Sequence, residues 1–464
     1  MDTPRGTTDR AGRRAGRAAP RTSTGRRPAR ARPLKNGGVP NYIAFAVPIF
    51  FALMGVELWA ARRRGLALYR FADAVVDLST GMTQQVALIF FKKAALFATY
   101  LLLYRYRLLD LRADSVVTWV VGFVLVDLAY YWWHRLSHRV SFLWAAHVVH
   151  HSSEDYNLAV ALRQSVLTPW TIVPFHLPLA LVGVPPLVML AVDSFNTLYQ
   201  FWIHTQLVGT MGQLEKWINT PALHRVHHGI NPRYLDKNYG GTFIVWDRLF
   251  GTYQPETEPP VYGIVKPLRR FDPYVAQFHY WGELWRRACA APRLGDRLRV
   301  FLRAPDWTPP GSPREGPPPD VRPDAFAKYD PPVAPALARY ILVQLVTVVA
   351  GATALMFFES TLPVGLLAAG GALVLLAPLA WGGFFERRIW ALPVELARLA
   401  LLAAAAAAWA WTAPPALPVA AAMAAFSAIA AVWLGKLRGA LPSRASALPA
   451  AAVPDPRLPR PRRG

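Results

Sequence analysis

Long apolar runs leave this chain few ways to fold. A stretch of about 20 apolar residues is long enough to cross a bilayer as a helix, which satisfies its own backbone groups in lipid. Such runs lie at Tyr42–Ala60, Val86–Leu103, Val116–Trp133 and Val166–Ile203. After a polar, proline-rich stretch from His204 to Pro335, four more follow at Ala336–Phe357, Leu362–Phe384, Val394–Trp411 and Leu417–Leu434. The second run is interrupted by Lys92 and Lys93. The fourth carries Gly183 and Pro185-Pro186 at its middle and is long enough for a helical hairpin turning there. The expected fold is all-α: a polytopic helical membrane protein with a histidine-rich cap over a helical-hairpin core.

Composition agrees. Hydrophobic residues make up 53% of the 464 and charged ones only 17%, which is not the profile of a soluble two-domain protein. The net charge of +23 is concentrated at the ends, in an arm from Arg5 to Lys35 and a tail from Arg457 to Arg463. Such flanks are solvated and drawn to anionic headgroups. No nucleic-acid-binding fold accompanies the charge, so nucleic acid is not the expected partner. The single cysteine, Cys289, excludes an intrachain disulfide framework and a thiolate cluster, so any metal must use histidine or oxygen ligands. The first apolar run begins only after about forty residues with no small-residue cleavage pattern behind it, so no cleavable signal peptide is read. Arg13-Arg14 lies too far upstream of that run for a twin-arginine signal.

Lys and Arg in short loops set orientation. Arg387-Arg388 and Lys436/Arg438 fall on the same side as the polar cap, so the cap is expected to face the cytoplasm. The N-terminal half conflicts, because three full spans before His134 would put the basic arm outside. Either the first or second run fails to cross, with Pro48 in one and Lys92-Lys93 in the other, or the arm is translocated. The sequence leaves both open.

Eight of the eleven histidines fall into three motifs: His134-x-x-x-His138, His147-x-x-His150-His151 and His224-x-x-His227-His228. Residues three or four apart on a helix share a face. HxxxH therefore sets two imidazoles side by side. HxxHH does so through its first and last members, with the middle one turned aside toward a second metal or a supporting partner. One HxxxH alone is commonly a surface or capping pair. Three motifs bordering apolar runs are not explained that way, and eight nitrogens exceed the four that close a structural zinc site. Nitrogen ligands without thiolate suit iron, copper, nickel or zinc, and the number points to a dinuclear catalytic centre.

Other polar residues border the motifs. Asp127, seven positions before His134, shares its face inside an apolar run; it reads as a carboxylate holding a ligand imidazole, or as an aspartate satisfied by a neighbouring helix. Glu154 and Asp155 could orient ligands or bind a cosubstrate, or simply cap a helix through a Ser-Ser-Glu-Asp turn. His204 leaves the hairpin beside the cap, with Gln200 and Asn196 on the same face, and reads as a ninth ligand. His176 and His279 read as structural.

The order of these motifs around a hairpin resembles the fatty acid hydroxylase (sterol desaturase) superfamily, and within it the alkylglycerol monooxygenases. The strings that carry the resemblance are Asp127–His138 (DLAYYWWHRLSH), His150–Leu167 (HHSSEDYNLAVALRQSVL), Gln200–Thr205 (QFWIHT), Asn219–Gly229 (NTPALHRVHHG) and Asp236–Thr252 (DKNYGGTFIVWDRLFGT). The resemblance implies a catalytic domain over 41–300, between a disordered basic arm at 1–40 and a proline-rich linker at 301–335. A four-helix transmembrane region at 336–438 and a basic tail at 439–464 would follow. It implies a di-iron monooxygenase in which the nine histidines are ligands and tetrahydrobiopterin is the reductant. O2 would hydroxylate the carbon next to the ether oxygen of an alkylglycerol, releasing a fatty aldehyde. Glu154, in its HSSEDYN string, would position the pterin or deliver a proton. Leu223 stands where the family pattern has a further histidine, which touches the substrate assignment rather than the intact HxxHH. A sterol or fatty-acyl hydroxylase or desaturase is the alternative enzyme, and a metal transporter the alternative of another class. The membrane would be the cytoplasmic one in a bacterium or the endoplasmic reticulum in a eukaryote.

Overall fold

The computed structural model describes residues 42–91, 96–312, 316, 318, 320–437, 439 and 441. The basic arm, Lys92-Lys93 and nearly all of the tail lie outside the described residues. Among those described there is no β-strand beyond two isolated bridges. The N-terminal half comprises α1 (Tyr42–Arg63), α2 (Phe71–Phe91), α3 (Leu96–Tyr104), α4 (Val116–Arg139), α5 (Ser141–His151), α6 (Thr168–Val182) and α7 (Pro186–Trp202). The cap adds α8 (Pro221–His227), α9 (Val245–Leu249), α10 (Pro273–Ala290) and α11 (Leu294–Leu302). A C-terminal bundle of α12 (Pro335–Phe358), α13 (Val364–Phe385), α14 (Ala391–Thr412) and α15 (Leu417–Lys436) completes the chain.

Seven helices, α1, α2, α4 and α12 to α15, are long and apolar enough to cross a membrane. The hairpin expected at the prolines is α6–α7. Its turn needs Gly183, whose φ is +110° and whose Cβ would stand 2.0 Å from the Leu109 carbonyl oxygen. The run Val86–Leu103 is not one helix. The span is α2, which begins fifteen residues earlier at Phe71, and Leu96–Tyr104 is a separate short helix. Asp73, Asp77, Thr80 and Gln84 hide this span in the sequence, because all four are buried polar residues on an otherwise apolar helix.

α2 is the centre of the larger core, where Val75, Val76 and Met82 pack with Tyr340, Ile341, Trp381 and Phe384 of α12 and α13. A second core, of Tyr100, Val126, Leu179 and Val188, joins α3 and α4 to the hairpin. The bundle and the cap meet at Glu386, whose Oε1 accepts from the Phe271 amide at 2.8 Å and the Tyr329 hydroxyl at 3.4 Å. α1 runs through Pro48 without a break. Its Glu57 accepts from the Leu158 amide (2.9 Å) and meets the cap at the Thr205 hydroxyl, while Phe45 touches Phe357 at the end of α12 away from the cap.

Candidate metal centre

Four short pieces of chain carry the imidazoles. The end of α4 supplies His134 and His138, and α5, starting two residues beyond α4, supplies His147, His150 and His151. His204 follows the last turn of α7. Thr220, accepting from the Leu223 amide, caps α8, and Pro221 opens it. The structure draws the nine rings into two groups. In each, one nitrogen per ring lies within 4.8 Å of all the others: His134, His138, His147, His151 and His227 in one, and His150, His204, His224 and His228 in the second. The middle histidine of each HxxHH sits in the opposite group from its neighbours.

Backbone carbonyls fix the rings. Nδ1–H of His134 donates to the Tyr239 carbonyl (2.8 Å), His150 to Arg163 (3.0 Å), His204 to Gln200 (2.7 Å) and His227 to Lys237 (2.9 Å). A carbonyl only accepts, so Nδ1 carries the proton and Nε2 of these neutral rings is a bare lone pair. Yet Nε2 of His150 faces Nε2 of His204 at 3.2 Å. His134 faces His147 at 2.9 Å, His227 faces His151 at 3.2 Å, and His224 faces His204 at 3.1 Å. Two nitrogens bound at about 2.1 Å to one metal, at right angles, stand about 3 Å apart. Between His150 and His204 two bare lone pairs are turned on each other, which a shared cation would reconcile, and the other three pairs stand at the same separation. The buried Nε2 atoms of His138 and His228 have no hydrogen-bond partner, which fits the same explanation. The residues therefore fit a pair of nitrogen-ligated metals.

Burial keeps the rings uncharged and ready to bind. It lowers the pKa of His150 to about 4 and of His227 to about 3, and pushes His147, His151, His204, His224 and His228 well below the ordinary 6.5. An unfolded chain takes up these protons near pH 6.5, while the folded one does not, so stability falls as the pH drops from there toward about 4. Asp247, raised by burial to about 6, and Glu154, raised by burial too, oppose this, but they are outnumbered by the seven imidazoles. Chelator-treated protein is expected to melt at a lower temperature at pH 5 than at pH 7. An equal midpoint would contradict neutral burial.

Behind the rings lies a framework that sequence reading did not single out. Asp247 accepts from the amides of Tyr239 (2.8 Å) and Gly240 (2.7 Å) and from the Thr252 hydroxyl (2.6 Å). It thereby shapes the loop whose carbonyls at Lys237 and Tyr239 hold His227 and His134. Asn238 ties the same loop to the Leu223 carbonyl at 2.9 Å. Arg163 is almost fully buried; it bonds Asp77 at 2.8 Å, the Val149 carbonyl at 2.8 Å and Ser152 at 2.9 Å, and its own carbonyl holds His150.

The carboxylates expected at the site are engaged elsewhere. Asp127 holds no imidazole, which was one of its two readings; it accepts from the amides of Thr242 (2.7 Å) and Phe243 (3.1 Å) and from the Trp246 indole (2.8 Å). The backbone carbonyl of Tyr239 does the holding. Gly241 passes so close that a Cβ there would stand 2.9 Å from Asp127 Oδ1. Glu154 accepts from the Tyr329 amide (2.6 Å) beside Arg70 (3.7 Å), and burial raises its pKa. Asp155 takes Arg70 (3.0 Å) and Lys328 (2.7 Å). His176 lies 3.6 Å from Asp193, His279 donates to the Ala276 carbonyl, and the Leu223 side chain is buried.

Residues 119–252, which include all nine imidazoles, match the fatty acid hydroxylase family model. The human alkylglycerol monooxygenase is 41% identical over 326 residues, covering 70% of this chain and 72% of that protein. The chain belongs to the alkylglycerol monooxygenase family. The Danio rerio member is 38% identical over 373 residues, 78% of this chain and 82% of its own length. Similarity to another branch is narrower: a Delta(7)-sterol 5(6)-desaturase of Gibberella zeae is 31% identical over 158 residues, 31% of this chain and 44% of the relative. No solved structure matches the chain.

Proposed function

We propose that this chain is a membrane-embedded, O2-dependent monooxygenase that hydroxylates the alkyl carbon next to the ether oxygen of an alkylglycerol lipid. The observation that carries the reading is the pair of imidazole groups whose ring nitrogens converge within 4.8 Å, in a chain of this family. One oxygen atom enters the C–H bond and the other leaves as water, with two electrons and two protons drawn from a reduced pterin, tetrahydrobiopterin. The resulting hemiacetal collapses to a fatty aldehyde and a glycerol product.

Two irons, one held by His134, His138, His147, His151 and His227 and the other by His150, His204, His224 and His228, would supply the O2 activation that side chains cannot. The carbonyls of Lys237, Tyr239, Arg163 and Gln200 keep His227, His134, His150 and His204 aimed. Trp133 stacks on His134, with centroids 5.9 Å apart, and Tyr156 on His204 at 5.6 Å, so aromatic faces wall both groups from water. Asp127 anchors the 242–246 loop. Glu154, a buried carboxyl beside Arg70 and Asp155, is the group we assign to position the pterin or hold a proton for it. The cap faces the cytoplasm in this reading, in the plasma membrane of a bacterium or the endoplasmic reticulum of a eukaryote.

Similarity to a sterol desaturase favours a second reading, oxidation of a sterol or acyl lipid with electrons from a redox protein. A metal transporter is disfavoured, because the rings gather into two enclosed groups rather than a file along the spans. The test is fatty aldehyde release from an alkylglycerol by iron-loaded protein with O2, with and without tetrahydrobiopterin. Pterin-dependent aldehyde is the expected result. Iron-replete protein that releases none moves the substrate to the sterol or acyl class, with Leu223 the first position to exchange for histidine.

A further inference from the structure

α10 and α11 are tethered at the level where the spans end. The Ser141 amide, two residues past the end of α4, donates to the Arg303 carbonyl at 2.9 Å. At the other end, α10 starts against α13, where a Cβ on Gly382 would stand 2.8 Å from Pro273. The two helices thus bridge the cap-side ends of two spans. Both turn an inner face to α5: Leu284, Ala288 and Val300 cluster with its Ala145.

Their outer faces are apolar and uncovered. On α11, Leu294, Leu298 and Leu302 recur every fourth residue and are 73%, 61% and 67% exposed. On α10, Phe278 and Trp285 are 50% and 67% exposed, and Cys289, one turn after Trp285, is exposed too. An apolar stripe of this size on a polar cap calls for a partner. Charge selects it. Residues 273–303 hold six arginines against Glu283 and Asp296, and both acids are already paired, with Arg286 and Arg299. An apolar helical stripe edged with arginine is the pattern of a helix lying in an anionic membrane interface.

We propose that α10 and α11 lie in the headgroup layer of the cap-side leaflet, with Phe278, Trp285, Leu294, Leu298 and Leu302 inserted among anionic lipids. The inference rests on the helical spans and not on the chemistry of the metal centre, so it stands or falls independently of the enzymatic reading. α5, which carries His147, His150 and His151, would then rest on a lipid-supported platform.

Cys289 is the only cysteine in the chain, so a nitroxide attached there reports depth in the full-length protein without further engineering. The protein is reconstituted in phosphatidylcholine vesicles with and without phosphatidylglycerol, and collisions are measured with O2, which concentrates in lipid, and with a water-soluble nickel chelate. The expected result is strong O2 and weak nickel relaxation when phosphatidylglycerol is present. Leu294→Glu/Leu298→Glu should bring the label into contact with nickel, and Arg293→Gln/Arg297→Gln/Arg303→Gln should abolish the effect of phosphatidylglycerol. A label open to nickel in both vesicle types overturns the proposal. So does one closed to both reagents with spin–spin broadening, since a second copy of the chain would then cover the face.

Discussion

Replacing His150 with alanine is expected to strip metal from the four-imidazole group and lower aldehyde formation by more than about 100-fold. That range is reached even by changes to groups that only hold a ligand in place. His150 stands between a fixed carbonyl at Arg163, 3.0 Å from Nδ1, and the Nε2 of His204 at 3.2 Å. Its loss removes one of four nitrogens and leaves room for water among rings that are buried. The check is metal content by mass spectrometry beside turnover, on protein that still elutes from detergent as a single species. Full iron and full activity in the variant would remove His150 from the centre and undo the grouping.

Arg163→Met should be the most destabilising single change outside the imidazoles, by about 3–5 kcal/mol, because it strands a buried carboxylate. Arg163 and Asp77 are 1% and 0% exposed, and Asp73 stands 3.5 Å from the same guanidinium. The guanidinium also holds the end of α5 through the Val149 carbonyl and Ser152. Thermal unfolding in detergent reads the loss. Arg163→Met/Asp77→Leu should recover much of it, because removing both charges leaves less uncompensated charge than removing one. A double variant no better than the single one would mean that Arg163 acts through Val149 and Ser152 and not through its charge.

Local spacing is what the sequence conveys best. A helix repeats every 3.6 residues, so HxxHH already separates its middle ring from the outer two, and the structure divides both motifs that way. The apolar runs of the C-terminal bundle were legible to within three residues, because few polar residues interrupt them and the buried ones find partners within the bundle: Arg398 pairs with Glu395 at 2.6 Å and donates to Gln344 at 2.7 Å. α2 was misjudged because its polar side chains are buried by partners far along the chain, above all Arg163. The ring-holding carbonyls of Lys237, Tyr239 and Arg163 were invisible, since a backbone carbonyl has no signature in residue identity. Asp127 was legible as an intramembrane carboxylate but not by partner: its bonds go to amides 115 and 116 residues away.

The interleaving of the rings has a consequence for how metal enters. α5 gives His147 and His151 to one group and His150 to the other, and α8 with its C-cap gives His224 and His228 to one and His227 to the other. Neither helix can be set for one ion without being set for the second. In the proposed two-ion centre the first ion would bear the cost of ordering both helices and the second would find its nitrogens in place, which is positive cooperativity. Loading should therefore be sigmoidal, with singly loaded protein scarce at every stage of a titration.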